Sequence, residues 1–115
     1  MNNTEAKDHY RKIKEGLEAQ FSPLENANAY EVQFQMENLK RMCLYTRMNT
    51  DAAMDAFIRN GDDAETMTRS INQMAACVAH FNELQKWYTE HGYCVTAYRD
   101  RHDGVPLSVS VSLAA

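Results

Sequence analysis

Residues 93–113 read YCVTAYRDRHDGVPLSVSVSL and differ in pattern from everything before them. From position 107 to 113 apolar and polar residues alternate without a break, which is the period of a β-strand. Residues 93–99 also fit a strand, since they are rich in aromatic and β-branched side chains. Asp103-Gly104 between them is typical of a two-residue hairpin turn. The stretch therefore predicts an antiparallel β-hairpin whose second strand covers residues 106–113.

A turn at Asp103-Gly104 would place Tyr98 opposite Val109 and so fix the register of the hairpin. Alternate residues of the two strands then share one face, which we expect to point inward: Cys94, Thr96, Tyr98, Val109, Val111 and Leu113. An isolated two-stranded ribbon is marginal in water, so one face must pack on the rest of the chain. The free edge of the ribbon is open to pairing with a partner's hairpin.

Upstream of the hairpin the apolar residues recur every three or four positions, which is the helical period. Proline, glycine and capping residues divide this run at Ser22-Pro23, Asn49-Thr50-Asp51, Asn60-Gly61 and His91-Gly92. The sequence thus predicts four helices, over residues 4–20, 25–48, 51–59 and 63–91. With the hairpin they form one domain over residues 1–115, an α+β fold that is mostly α, with three to four helices packed with a C-terminal antiparallel hairpin.

The predicted second helix carries apolar residues on two sides. One set repeats at strict helical spacing: Ala29, Val32, Met36, Leu39 and Cys43. The other set lies further around the cylinder: Tyr30, Phe34, Tyr45 and Met48. A helix that is apolar on two sides is usually flanked on both, so we expect either the central helix of a bundle or a helix shared with a second chain.

The helix predicted over residues 63–91 is too long for the domain. It would measure about 42 Å at the helical rise per residue. A compact chain of this length has a diameter of about 35 Å. The helix must kink, or the protein must be elongated, or a second copy must cover the overhang. We expect the last of these.

The charge of the chain is concentrated in one segment. There are 12 Lys and Arg against 16 Asp and Glu, giving a net charge of −4. Residues 51–65 contain five acids and only Arg59, so this segment alone carries −4. It is either a solvated face or a contact for a basic partner. Nucleic acid is an unfavoured partner because phosphate binding draws on a basic surplus. No apolar run approaches the about 18 residues of a membrane span, so we expect no membrane partner.

A second hypothesis is a nucleic-acid-linked regulator with a helix-turn-helix-like segment at residues 51–75. Arg41, Arg47, Arg69 or the hairpin arginines would then contact nucleic acid. Three carboxylates at the start of the second helix of that segment would meet phosphates, which argues against this reading.

One group of residues has the chemistry of a metal site, Cys77-x-x-His80 followed by His91-x-x-Cys94. His80 and His91 would lie about 16 Å apart along one helix, too far for a single ion. We predict no metal, no cofactor and no catalytic residue. A third hypothesis, a small enzyme or ligand-binding protein around His91, Cys94 and the hairpin loop, stays open.

Three widely spaced cysteines and a polar N-terminus favour a reducing compartment, and we expect a cytoplasmic protein. The first hypothesis is a non-enzymatic protein-interaction module acting as a homodimer: an adaptor, chaperone or inhibitor of another protein, such as the accessory proteins of phages and plasmids. The predicted interface residues lie in the acidic segment, at the end of the last helix and around the hairpin turn: Asp51, Asp55, Asp62, Asp63, Trp87, Tyr88, Arg99, Arg101 and His102.

Overall fold

Three helices and a two-stranded antiparallel hairpin make up the fold, in a computed structural model that describes all 115 residues. The elements are α1 (Asn3–Gln20), α2 (Ala29–Asn60), α3 (Ala64–Glu90), β1 (Tyr93–Arg99) and β2 (Pro106–Leu113). The predicted class, α+β and mostly α, is confirmed.

Asparagine caps fix where the first two helices begin. The Asn2 side chain accepts a hydrogen bond from the Glu5 amide at 2.8 Å, and α1 starts at the next residue, Asn3. Asn28 and Glu31 form a reciprocal capping box, with bonds of 2.8 and 3.3 Å. α2 therefore begins after Asn28 and not at residue 25, where the sequence predicted it. Asn26 also has a positive φ of 55°, which no helix accommodates.

The predicted break at Asn49-Thr50-Asp51 is wrong, because α2 runs through it as one helix of 32 residues. Thr50 is buried, and its hydroxyl lies 2.8 Å from the carbonyl oxygen of Thr46 and 2.9 Å from that of Ser70 on α3. A residue that resembles a cap in the sequence thus serves as a contact between two helices. The segment predicted over 51–59 is the end of α2, and α2, not the helix predicted over 63–91, is the longest.

The core lies where α2 and α3 pack against each other as an antiparallel pair. α1 packs on one side of α3, while β1 contacts α3 and β2 contacts α2 from the other side. Fifteen buried residues form a single cluster: Leu17, Phe21, Val32, Met36, Leu39, Cys43, Ala76, Cys77, Phe81, Leu84, Tyr88, Tyr93, Val95, Val105 and Val109. Every helix and both strands contribute to it.

The register of the hairpin differs by one residue from the prediction. Tyr98 pairs with Ser108 rather than Val109, and the strands are joined by residues 100–105, closed by the bond from the Asp100 amide to the Val105 carbonyl. The inward face consequently holds Val95 and other apolar residues: Tyr93, Ala97, Val109 and Val111. Cys94, Thr96 and Tyr98 point outward beside the serines of β2. This register places the apolar residues of both strands on one face, which a slip of one residue would not.

The molecule is elongated, which is one of the three outcomes that the long helix allowed. Its extents are 52 × 26 × 18 Å and its radius of gyration is 15.6 Å. A compact domain of this length would have a radius of gyration of about 13 Å. The far end of the α2–α3 pair, residues 51–69, contains no buried residue. We call this segment the distal tip.

A candidate protein-interaction surface

The second apolar face of α2 lies on the outside of the protein. Tyr30, Phe34, Tyr45 and Met48 are exposed by 77%, 60%, 64% and 68%. The first apolar set, which includes Val32 and Met36, points into the core. We call the four exposed residues the outer stripe. A helix with one covered and one uncovered apolar face presents a surface that soluble chains normally cover.

A groove runs beside the outer stripe, because α1 packs on α3 and leaves α2 uncovered on this side. A concavity of about 370 Å³ lies at one end between Phe21, the residue that follows α1, and the stripe residues Tyr30 and Phe34. A second concavity of about 270 Å³ lies beside Tyr45, with Cys77 of α3 among its lining residues. The stripe and its groove together form a ridged apolar surface.

Two opposite charges lie at the middle of the outer stripe, one turn apart on α2. Arg41 is exposed and takes part in no ion pair. Glu37 is 2.9 Å from the ammonium group of Lys40 and accepts a hydrogen bond of 3.2 Å from Gln33. The guanidinium group of Arg41 is therefore free to contact another molecule.

The distal tip combines apolar and acidic side chains. Ile58 is exposed by 74%, and Met54 and Phe57 are also exposed. The acids predicted as interface residues lie here: Asp51, Asp55, Asp62 and Asp63. Asp55 pairs with Arg59 at 2.9 Å. Asp63 caps α3, and the hydroxyl of Thr66 holds the pKa of the Asp63 carboxyl below the usual value. Asp63 thus has a structural role as well.

The other predicted interface residues do not join the tip in one surface. Trp87 is 23 positions beyond the start of α3 at Ala64, which is about 35 Å along the helix. Tyr88 is fully buried; its hydroxyl accepts from the Leu24 amide and donates to Gln35, and burial raises its pKa. The interface prediction for Tyr88 is wrong in this structure, because the chain's own elements surround it.

Arg99 and the hairpin loop are held largely by the chain itself. Arg99 donates to the Gly104 carbonyl at 3.0 Å and to Gln85 at 2.7 Å, and its guanidinium group lies over the ring of Phe81. Arg47 of α2 lies 3.3 Å from Asp100, whose pKa is lowered mainly by the His102 amide and also by Arg47. Arg101 and His102 remain exposed at the loop.

The residues of the third hypothesis do not form one site. His91 lies before β1, where it stacks on Trp87 with a ring separation of 3.7 Å. The hairpin loop lies at the other end of β1, about 23 Å away for a strand of seven residues. Cys94 is exposed, so the prediction that it points inward is wrong. No group of three or more His, Cys, Asp or Glu side chains is placed to hold a metal ion.

The two buried cysteines, Cys43 of α2 and Cys77 of α3, belong to the core. A hydrogen bond to Cys77, together with burial, raises the pKa of the Cys43 thiol. Both factors disfavour the thiolate of Cys43, and the thiolate is the reactive form of cysteine.

The outer stripe was visible in the sequence as a second apolar spacing, but the interface was assigned to charged and hairpin residues instead. Of the two charges at its centre, Glu37 was not singled out in the sequence and Arg41 was considered only for nucleic-acid binding, because their position within the stripe becomes visible only on the folded helix.

The fold and its exposed surfaces define a class: a small α+β domain whose antiparallel helix pair extends past its own core and carries an uncovered apolar face. Comparisons with protein-family models, with curated proteins and with solved structures found no match. None of the three helices combines the length and the apolar character that crossing a membrane requires.

Proposed function

We propose that this chain is a non-enzymatic protein-interaction module, an adaptor, chaperone or inhibitor that acts as a homodimer and binds another protein. The observation that carries the proposal is the distal tip. Helices in proteins gain most of their stability from packing an apolar face. Here both helices of the pair extend outward from the buried residues Thr50 and Ser70, α2 by about three turns and α3 by fewer than about two. No residue of these turns is buried, although Met54, Phe57 and Ile58 lie on α2 there. A partner protein that covers these residues would supply the missing packing.

The charge of the tip suggests the chemistry of that partner. Residues 51–65 carry a net charge of −4, and the exposed side chain of Ile58 lies in the same segment as these acids. An apolar centre with a charged rim is the usual anatomy of a protein–protein contact. Complementary charge steers association and selects partners. We therefore expect a partner with a basic surface around an apolar centre.

The other two hypotheses have less support. Of the arginines considered for nucleic-acid binding, Arg47 is held by Asp100 and Asp103, and Arg69 lies 2.9 Å from Glu65. The acids of the tip would repel phosphates. An enzyme around His91 would need residues that lie at opposite ends of β1.

A tagged pull-down from the native host with three forms of the chain tests the proposal. Ile58→Asp places a charge at the centre of the tip, and Tyr98→Asp is the matched control, since Ile58 and Tyr98 are exposed by 74% and 71%. We expect the wild-type chain and Tyr98→Asp to retain the same partner protein and Ile58→Asp to lose it. Equal recovery of that partner by all three forms would contradict the assignment of the tip.

A further inference from the structure

We infer that the outer stripe is covered by the outer stripe of a second copy of this chain, with the two α2 helices antiparallel. The inference rests on the self-association included in the proposed function, and it adds which surface is used and in what register. A contact between two identical surfaces related by a twofold axis must be self-complementary, so that residue i meets residue j and j meets i. The spacing of the stripe meets this condition.

The apolar residues of the stripe are arranged almost symmetrically about residue 39 of α2. In an antiparallel pair centred there, Tyr30 faces the partner's Met48 and Phe34 faces the partner's Tyr45. The concavity beside Tyr30 and Phe34 then lies under the partner's Tyr45 and Met48, and the one beside Tyr45 lies under the partner's Phe34. The projecting side chains of one copy therefore face the concavities of the other copy.

The charges at the centre of the stripe are complementary in the same register. Glu37 and Arg41 lie on either side of residue 39, so each faces the opposite charge on the other copy. Arg41, which has no ion-pair partner within its own chain, obtains one in the dimer. Two such pairs form around the axis, one from each Glu37, and they favour this register over a slipped one.

The acidic tip favours the antiparallel orientation over the parallel one. In a parallel pair the two segments with a net charge of −4 would lie side by side. In the antiparallel pair they lie at opposite ends, about 60 Å apart, well beyond the range of charge repulsion in physiological salt. The tips then remain free for the partner protein of the proposed function.

The exposed area of the single chain is consistent with such a contact. The accessible surface is 7172 Å². A monomeric globular protein of this mass exposes about 6,400 Å², so the chain has an excess of about 750 Å². A stable interface buries about 800 Å² on each partner. The excess is therefore of the size that one partner of such an interface would cover.

Exchanging the charges of Glu37 and Arg41 tests the inference, and sedimentation equilibrium measures the affinity of the dimer. The wild-type chain should be a dimer. In each single variant, Arg41→Glu or Glu37→Arg, the residues at positions 37 and 41 that face each other across the axis carry the same charge in both pairs. We expect each variant to weaken dimerisation about tenfold. Glu37→Arg/Arg41→Glu should restore it, and an equimolar mixture of the two single variants should form a heterodimer. Lys86→Glu is the control, because it also introduces a like charge four residues from a glutamate on an exposed helix face.

Each other outcome has a distinct meaning, provided that circular dichroism shows the variants to be folded. A dimer whose affinity none of the changes alters would form through another surface and would overturn the inference, leaving the proposed function intact. Single variants that weaken the dimer and are not rescued by mixing would overturn the antiparallel register. A wild-type chain that is monomeric at all concentrations would overturn the inference and the homodimer of the proposed function, while partner binding at the tip would be decided separately by Ile58→Asp.

Discussion

Thr50 shows how a residue that resembles a helix cap in the sequence can instead join two helices. Its side chain is buried between α2 and α3, and the hydroxyl oxygen lies within 2.9 Å of carbonyl oxygens from both helices. Buried polar groups remain stable only when they are hydrogen-bonded. The contact with Ser70 also marks the last point at which the helix pair has buried residues, because the distal tip begins at the next position of α2.

Replacing Thr50 by valine removes this hydroxyl while keeping the shape of the side chain. We expect the free energy of unfolding to fall by about 1 kcal/mol, since the Ser70 carbonyl loses a hydrogen-bond partner in a buried position. Urea denaturation measures the change. Thr68→Val is the control, because the Thr68 hydroxyl bonds only the carbonyl of its own helix four residues back, at an exposed position. An equal loss in both variants would show that Thr50 does not couple the two helices.

At the scale of elements, polar contacts join α1 and the residue that follows it, Phe21, to α3. Lys14 lies 2.6 Å from the Glu83 carboxylate, and His80 contacts the carbonyl of Phe21 at 2.8 Å through Nε2. The Lys14 ammonium group is the main cause that lowers the pKa of Glu83. Lys14, Glu18 and His80 are the charged or titratable groups around this carboxylate contact. α1 is therefore attached partly through a contact that acid can remove.

The pH dependence of stability tests this contact. The pKa of Glu83 is lower in the folded chain than the value of about 4.3 in the unfolded chain. The pair therefore stabilises the fold above that unfolded value and loses its effect as the pH falls through the folded pKa. Chemical denaturation near neutral pH and in acid should show a smaller acid loss for Lys14→Gln than for the wild-type chain. Lys7→Gln, at an exposed position without an ion pair, should behave like the wild type, and equal losses for all three would contradict the account.

Elements whose signals are local could be predicted from the sequence, and those that depend on distant contacts could not. The end of α1 at Gln20 and the two strands follow from local periodicity and from Ser22-Pro23. Thr50 resembles a cap in the sequence, but it lies inside α2 and contacts the Ser70 carbonyl, which is 20 positions along the chain. The hairpin register depends on burying apolar residues against the helices, and this outweighs the local preference of Asp103-Gly104 for a two-residue turn.

The residues of the candidate site could likewise be predicted only where the information is local in the sequence. The acids of residues 51–65 are exposed, as their charge indicated, and the structure adds that they lie on the distal tip. Their role as interface residues stays a prediction. Tyr88 was misassigned because an aromatic residue near a helix end looks the same in sequence whether it packs inward or outward. Only its hydrogen bonds to Leu24 and Gln35 distinguish the two.

At the scale of the whole molecule, only 20 of 115 residues are buried, and the long axis of 52 Å is twice the second extent of 26 Å. This elongated molecule exposes two apolar surfaces, the outer stripe of α2 and the distal tip. The proposed antiparallel dimer covers the first and presents the second at both ends. A molecule built in this way would offer two equivalent acidic contacts to partner proteins.

Site-directed disulfide cross-linking tests the central claim, the antiparallel contact between outer stripes, most directly. In a background where the exposed Cys94 is replaced by serine, Tyr30→Cys/Met48→Cys places a thiol at each of two positions that face each other across the proposed axis. Mild oxidation should convert this variant to a covalent dimer, which migrates at twice the 13.2 kDa chain mass on a denaturing, non-reducing gel. Tyr30→Cys alone should form no covalent link and migrate as the single chain. A double variant that forms no covalent dimer, or a single variant that cross-links equally well, would contradict the antiparallel contact.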